Sequence, residues 1–277
     1  MERMSGFGRA RAWLTVAVMA GAVLVPGVGT AADAGVPEAI APVLKAAGLG
    51  SVRSTYLKVD ISEEETTPGG ETKTRHETLW VRFPQLEPVR LELAPDIILV
   101  RKKDETWASV HGKLDKRPQS ARMIRGTQNE KLFPYFMPFS LRLGGVHIEA
   151  AGTKKFEGAT FDAFTVNFEK NFFGVPVMET HWTILVEPDT HRVATAAFIP
   201  EAAFRSVVGE GVRYRYLRWT EVAGATLPST VVIEGFAPET GVASGHVSVV
   251  KLAYTVEPNP PVELFANPET LEKLDED

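Results

Sequence analysis

The chain has 277 residues, a formal net charge of −5 at pH 7 and no cysteine. An acidic balance argues against nucleic acid or an anionic bilayer surface as partner, since both reward dense lysine and arginine. The lack of cysteine excludes disulfides, thiolate metal centres, cysteine nucleophiles and acylation on cysteine.

Residues 1–32 read as a signal peptide. Arg3, Arg9 and Arg11 precede an uncharged apolar run from Ala12 to Val25, and the small residues Gly29-Thr30-Ala31-Ala32 follow. This order predicts a cleavable secretory signal, a cleavage site near Ala31/Ala32 and a periplasmic or secreted destination. The run is short for a span of about 20 residues and no basic cluster follows it, so no transmembrane anchor is expected after cleavage. Cleavage removes three arginines and one glutamate, which takes the formal charge from −5 to −7. Residues 33–277 are then expected to form a single domain held by its core alone.

Helical spacing over Val36–Ala47 places Ile40, Val43 and Leu44 on one side, and Gly48 stands where a left-handed cap is expected. Pro42 inside the pattern predicts a short or kinked helix. From Val52 the apolar period becomes two, the strand signature. Thr55, Leu57, Val59 and Ile61 alternate with Tyr56, Lys58 and Asp60, and Pro68-Gly69-Gly70 turns the chain into Leu79-Val81-Phe83. Shorter strands are expected at Val89–Leu93, Ile97–Arg101 and Thr106–His111. Further strands are expected at Val146–Phe156, Thr160–Glu169, Met178–Glu187, Arg192–Ile199, Gly211–Val222, Thr226–Phe236 and Ser244–Val256. Ten to twelve strands in up-and-down order predict a mainly β fold: one curved antiparallel sheet, a half-barrel or incomplete barrel, with one N-terminal helix and a short C-terminal helix.

Two segments depart from alternation. Lys113 to Asn129 is basic and strand-poor, and it runs into Leu132–Leu143, dense in aromatics and prolines. Residues 113–143 therefore read as a long lid-like loop. The tail, residues 258–277, carries Leu264-Phe265, read as a peg that docks on the body, and then Asn267-Pro268-Glu269, which starts a short acidic helix.

Catalytic patterns are missing. The six histidines form no metal-ligand spacing, and there is no GxSxG elbow, SxxK, phosphate loop or dinucleotide fingerprint. Glu63-Glu64-Glu65 sits beside a turn and reads as a solvated hairpin tip. No catalytic residue, metal or cofactor is expected, and a hydrolase would need a site dispersed over the sheet.

The apolar residues say more. Phe164, Val166 and Phe168 share one strand face, and Met178, Trp182, Ile184 and Val186 share another. Side by side these build a broad aromatic and aliphatic surface, most of which core packing accounts for. The rest would line a hollow suited to an acyl chain or another hydrophobic ligand. Phe133, Phe136 and Phe139 in the lid-like segment, and Phe172 and Phe173 near Gly174, are candidate cover or rim residues. The candidate ligand-binding set is thus Phe133, Phe136, Phe139, Phe164, Phe168, Phe172, Phe173 and Trp182.

The signal peptide, single N-terminal helix, long first hairpin, many antiparallel strands and the stretch Thr183-Ile184-Leu185-Val186-Glu187-Pro188-Asp189-Thr190-His191-Arg192-Val193 resemble the LolA/LolB-type half-barrels of the bacterial envelope. Pro138-Phe139-Ser140-Leu141, Gly152 and Gly158-Ala159-Thr160-Phe161 add to the likeness. The resemblance implies a non-enzymatic periplasmic protein whose concave sheet holds a lipid or lipoprotein acyl chain. A second expectation is an envelope sensor or scaffold that binds another protein through exposed aromatic loops.

Overall fold

The structure, a computed structural model, describes residues 38–67, 69–94, 96–103, 105–115, 117, 120–169, 181–199, 211–238 and 240–269. Among the described residues two α-helices, α1 (Ala41–Ala46) and α2 (Ser120–Tyr135), accompany thirteen strands. The first six are β1 (Thr55–Thr66), β2 (Thr72–Phe83), β3 (Val89–Ala94), β4 (Ile97–Lys102), β5 (Glu105–Val110) and β6 (Lys113–Leu114). After α2 come β7 (Val146–Phe156), β8 (Ala159–Phe168), β9 (Trp182–Val186), β10 (Val193–Phe198), β11 (Gly211–Val222), β12 (Ala225–Phe236) and β13 (Ala243–Glu257).

The strands form one sheet in the order β6-β5-β4-β3-β2-β1-β13-β12-β11-β10-β9-β8-β7, not closed into a barrel. Every neighbouring pair is antiparallel. The curved, mainly β sheet expected from alternation is the one observed, and the two-residue β6 is the strand that alternation did not show. Two meanders, β1–β6 and β7–β13, meet where β1 pairs with β13, in a register that sets Val59 opposite Tyr254 and Glu63 opposite Val250. The two edges of the sheet are therefore β6 and β7, which are consecutive in the chain. The link between them runs from one edge to the other, and α2 lies in it.

The segment read as a lid-like loop is thus corrected. Residues 120–135 are α-helical, and a short 3-10 helix follows at Phe139–Arg142. The helix starts after a polar knot in which Asp115 accepts hydrogen bonds from Arg117 Nη2 at 2.7 Å and Ser120 Oγ at 2.8 Å. Those bonds hold the Asp115 carboxyl well below the usual carboxylate range, the Arg117 bond most of all. Ile124, Gln128 and Leu132 recur every four residues and are fully buried, so one stripe of α2 faces the sheet.

Alternation along β1 and β2 turns Leu57, Val59, Ile61, Leu79, Val81 and Phe83 to the concave side, all buried. They join Ile124, Leu132, Phe136, Leu227, Val231 and Val250 in the main core. α1 covers one end of the groove with Ile40, Val43 and Leu44, and Pro42 sits in its first turn, consistent with its length of six residues. Its exit passes close to the β11–β12 turn: a Cβ on Gly48 would collide with the Gly224 carbonyl, and one on Gly224 with the Ser51 carbonyl. Both glycines have positive φ, which L side chains disfavour.

A second, smaller core lies on the convex side, where Val100, Trp107 and Phe265 pack with Tyr56, Trp80, Ile98 and Leu264. Phe265 docks there at the end of the 3-10 turn Val262–Phe265, with its ring 5.5 Å from Tyr56. Arg90 Nη1 donates to the Leu264 carbonyl at 3.0 Å. The acidic helix read from Asn267 onward lies mostly outside the described residues.

Candidate functional site on the concave face beneath α2

β8 and β9 pair so that Val166 lies opposite Trp182 and Phe164 opposite Ile184. The face of Phe164, Val166 and Phe168 and that of Trp182, Ile184 and Val186 therefore meet on one surface, and Met178 lies outside the described residues. Phe133 of α2 descends onto it, its ring 5.1 Å from Phe168 and 5.0 Å from Trp182, both edge-on. Trp182 stacks on Phe198 of β10 at 4.8 Å and on Tyr214 of β11 at 5.6 Å. A continuous aromatic floor thus spans four strands with one helical side chain pressed into it.

Phe136 and Phe139 occupy a different neighbourhood. Phe136 lies 6.0 Å from Phe83 and 6.2 Å from Tyr254, and Phe139 lies 4.9 Å from Phe83. Both are buried, so they anchor the end of the helix rather than form a rim. Phe164 packs against the same main core, half-buried. Phe172 and Phe173 lie outside the described residues. Of the eight residues singled out from sequence, Phe133, Phe168 and Trp182 converge, and Phe198 and Tyr214 join them unforeseen.

Glu63 is a further correction. It does not belong to a solvated tip: alternation from Leu57 puts it on the concave side, where its side chain is only 13 % exposed. Lys131 of α2 lies 2.8 Å from Glu77 and 3.9 Å from Glu63. Burial opposes the charge of Lys131, but Tyr135, Glu77 and Glu63 outweigh it and hold the ammonium above its usual range. Glu130, next along the helix, is pushed up to about 8 by burial, with Lys131 pulling the other way. Burial also raises Tyr135 to about 12 and lifts Tyr214, Tyr216 and Tyr254 above the ordinary phenol range. These phenols are neutral at physiological pH. Tyr254 Oη donates to the Pro228 carbonyl at 2.8 Å, and lies 3.2 Å from that of Tyr135.

The attachments of α2 differ from side to side. Toward β1–β5 they are polar: Lys131 to Glu77, Arg101 Nη1 donating to Asn129 Oδ1 at 3.0 Å, and Gln128 Nε2 donating to the carbonyls of Leu99 at 3.1 Å and Val89 at 3.4 Å. Toward β8 and β9 the helix presents the ring of Phe133 to other rings. Among the described residues no three histidine or carboxylate side chains gather as a metal site, and no helix is long and apolar enough to cross a membrane.

Solved structures superpose on this fold at low sequence identity. A LolA superfamily protein from Nitrosomonas europaea superposes with a TM-score of 0.51 at 13% identity, over 81% of this chain and 96% of that one. The fold is LolA-like. A DUF1329 family protein from Desulfovibrio piger matches this LolA-like fold with a TM-score of 0.53 at 11% identity, over 82% of this chain and 95% of that one. A putative outer membrane lipoprotein-sorting protein domain from Vibrio parahaemolyticus gives 0.50 at 10% identity, over 84% and 97%. No family model matches the sequence, and no curated protein matches it.

Proposed function

We propose that the protein is an envelope binding protein that takes a hydrophobic ligand, a lipid or lipoprotein acyl chain, onto the concave face beneath α2 without chemical turnover. The observation that carries this reading is the aromatic floor of Phe168, Trp182, Phe198 and Tyr214 under a helix that meets β8 and β9 through a ring. Ring contacts exchange readily for contacts with an acyl chain, because one apolar surface replaces another and no water is readmitted. The ion pair of Lys131 has no such substitute. The ligand therefore enters between α2 and β8–β11 while the helix stays tethered on the β1–β5 side. A periplasmic location after cleavage near Ala31/Ala32 fits this role, as does the use in lipoprotein sorting that the name of the Vibrio parahaemolyticus domain carries.

Organic extraction of protein purified from its native envelope, followed by mass spectrometry, is expected to recover a lipid. Recovery of none, together with indifference to added fatty acids, would overturn the reading. One observation favours a second reading, a sensor or scaffold that binds another envelope protein: the protein's own Phe133 and Phe136 already fill the space under α2. On that reading cross-linking captures a stoichiometric protein partner and extraction stays empty.

A further inference from the structure

Tyr216 stands on the concave face of β11, two residues beyond Tyr214, and alternation turns both rings to the same side. It lies opposite Val231 of β12, which lies opposite Val250 of β13 in turn, and its ring is 5.7 Å from that of Trp219. The residue is 6 % exposed and belongs to the main core, yet its phenolic Oη is enclosed with no hydrogen-bond partner among the described residues. Tyr254, on the same face of β13, is the contrast, since its Oη donates to the Pro228 carbonyl at 2.8 Å. The fold completes one phenol and leaves the other open. An enclosed O–H without an acceptor is a standing cost to a folded chain, and on a binding face it calls for an acceptor from outside that chain.

We infer that the Tyr216 hydroxyl donates a hydrogen bond to the neutral carbonyl oxygen of an ester- or amide-linked acyl chain, and so selects acylated amphiphiles over their ether counterparts. The inference rests on the hydrophobic-ligand reading above and names the chemical class of that ligand. Position supports it. Tyr214 and Tyr216 are about 7 Å apart along the strand. A chain whose carbonyl meets Tyr216 therefore lays its first methylenes on Tyr214 and the next on Trp182, whose ring is 5.6 Å from that of Tyr214. Charge supports a neutral acceptor. Val231 and Val250 in register with Tyr216, and Trp219 beside it, are uncharged, and the groups that act electrostatically on its phenol are other phenols, those of Tyr214, Tyr135 and Tyr254. A carboxylate there would be buried without a cation, so a free fatty acid binds as the protonated acid and less tightly. The donor also suits the task. A phenol presents its one O–H at the end of a rigid ring, and burial keeps that proton in place at neutral pH.

The test compares monolaurin with dodecyl glyceryl ether, which share chain length and head group and differ at the carbonyl, by calorimetry below their micellar concentrations. The wild type is expected to bind the ester about three- to tenfold more tightly than the ether, the scale of one neutral hydrogen bond. Tyr216→Phe is expected to bring the two within about twofold by weakening the ester alone, with ether binding unchanged. In urea titrations of the unliganded protein Tyr216→Phe is expected to keep or gain stability, because its hydroxyl has no partner to lose. Tyr254→Phe, the matched control, is expected to lose stability and keep the ester preference. Equal binding of ester and ether by the wild type, or an ester preference that survives in Tyr216→Phe, overturns the inference and leaves the hydrophobic-ligand reading standing. A loss of stability in Tyr216→Phe as large as that in Tyr254→Phe marks a hydroxyl already satisfied in the free protein and overturns it too. Binding of neither ligand overturns the hydrophobic-ligand reading, and the inference falls with it.

Discussion

Replacing Phe133 by alanine separates a ring that merely fills a core from one that holds a ligand's place. Phe133 is 5 % exposed and meets Phe168 and Trp182 at about van der Waals distance. Removing a buried phenyl ring costs about 3–5 kcal/mol through lost transfer energy and the cavity left behind. For a domain of this size that corresponds to a fall in midpoint of roughly 6–20 °C. Phe265→Ala is the matched control, since Phe265 is 6 % exposed and packs in a separate cluster on the convex side. Both variants are expected to lose similar stability in urea titrations. Added laurate at a hundredfold excess over its Kd returns about 2.7 kcal/mol. That return is expected in Phe133→Ala with an affinity above wild type, because the ligand no longer has to displace the ring. In Phe265→Ala the affinity stays at the wild-type value. A loss below 1 kcal/mol in Phe133→Ala, or equal laurate affinity in the two variants, refutes the reasoning.

Lys131→Met leaves Glu63 and Glu77 enclosed without their cation and is expected to cost about 3–5 kcal/mol by chemical denaturation; Glu77→Gln added to it should return part of that loss. Glu130 is protonated in the folded state up to about pH 8, so its folded pKa exceeds the unfolded one and its contribution to stability declines as pH rises from about 4.5 to 8. The stability of wild type minus that of Glu130→Gln should fall across that window, and a flat difference contradicts the burial of the carboxyl. Gly224→Ala places a Cβ against the Ser51 carbonyl at a φ of +80°, so the midpoint should drop, whereas Gly112→Ala, with φ of +74° and nothing nearby, should lose less.

The sheet was legible because alternation is a local signal. β1, β2 and the C-terminal meander repeat apolar residues at period two for up to fifteen residues, and Pro188-Asp189-Thr190 marks its hairpin. The helix was not legible, for reasons in its own residues. Its buried stripe reads Ile124, Gln128, Leu132, with a polar residue in the middle, while Gly126 and Pro134 lie inside it. Gln128 is buried only because the carbonyls of Val89 and Leu99 accept its amide, a fact of tertiary structure. Glu63 was misread by weighing the acidic run above parity. Counting by twos from Leu57 already places Glu63 and Glu65 on the apolar side, and counting from Leu99 does the same for Arg101. What parity cannot supply is the partner, since Lys131 and Asn129 belong to an element the pattern did not announce.

The central claim is that a hydrophobic ligand lies between α2 and the aromatic floor. Photo-cross-linking with a diazirine-bearing fatty acid, read by peptide mapping, tests it most directly. Labels are expected on α2 around Phe133 and on β8–β11 around Phe168, Trp182, Phe198 and Tyr214, with Phe133→Ala shifting them further onto the floor. Labels confined to the convex cluster of Trp80, Trp107 and Phe265, or none above background, would contradict it.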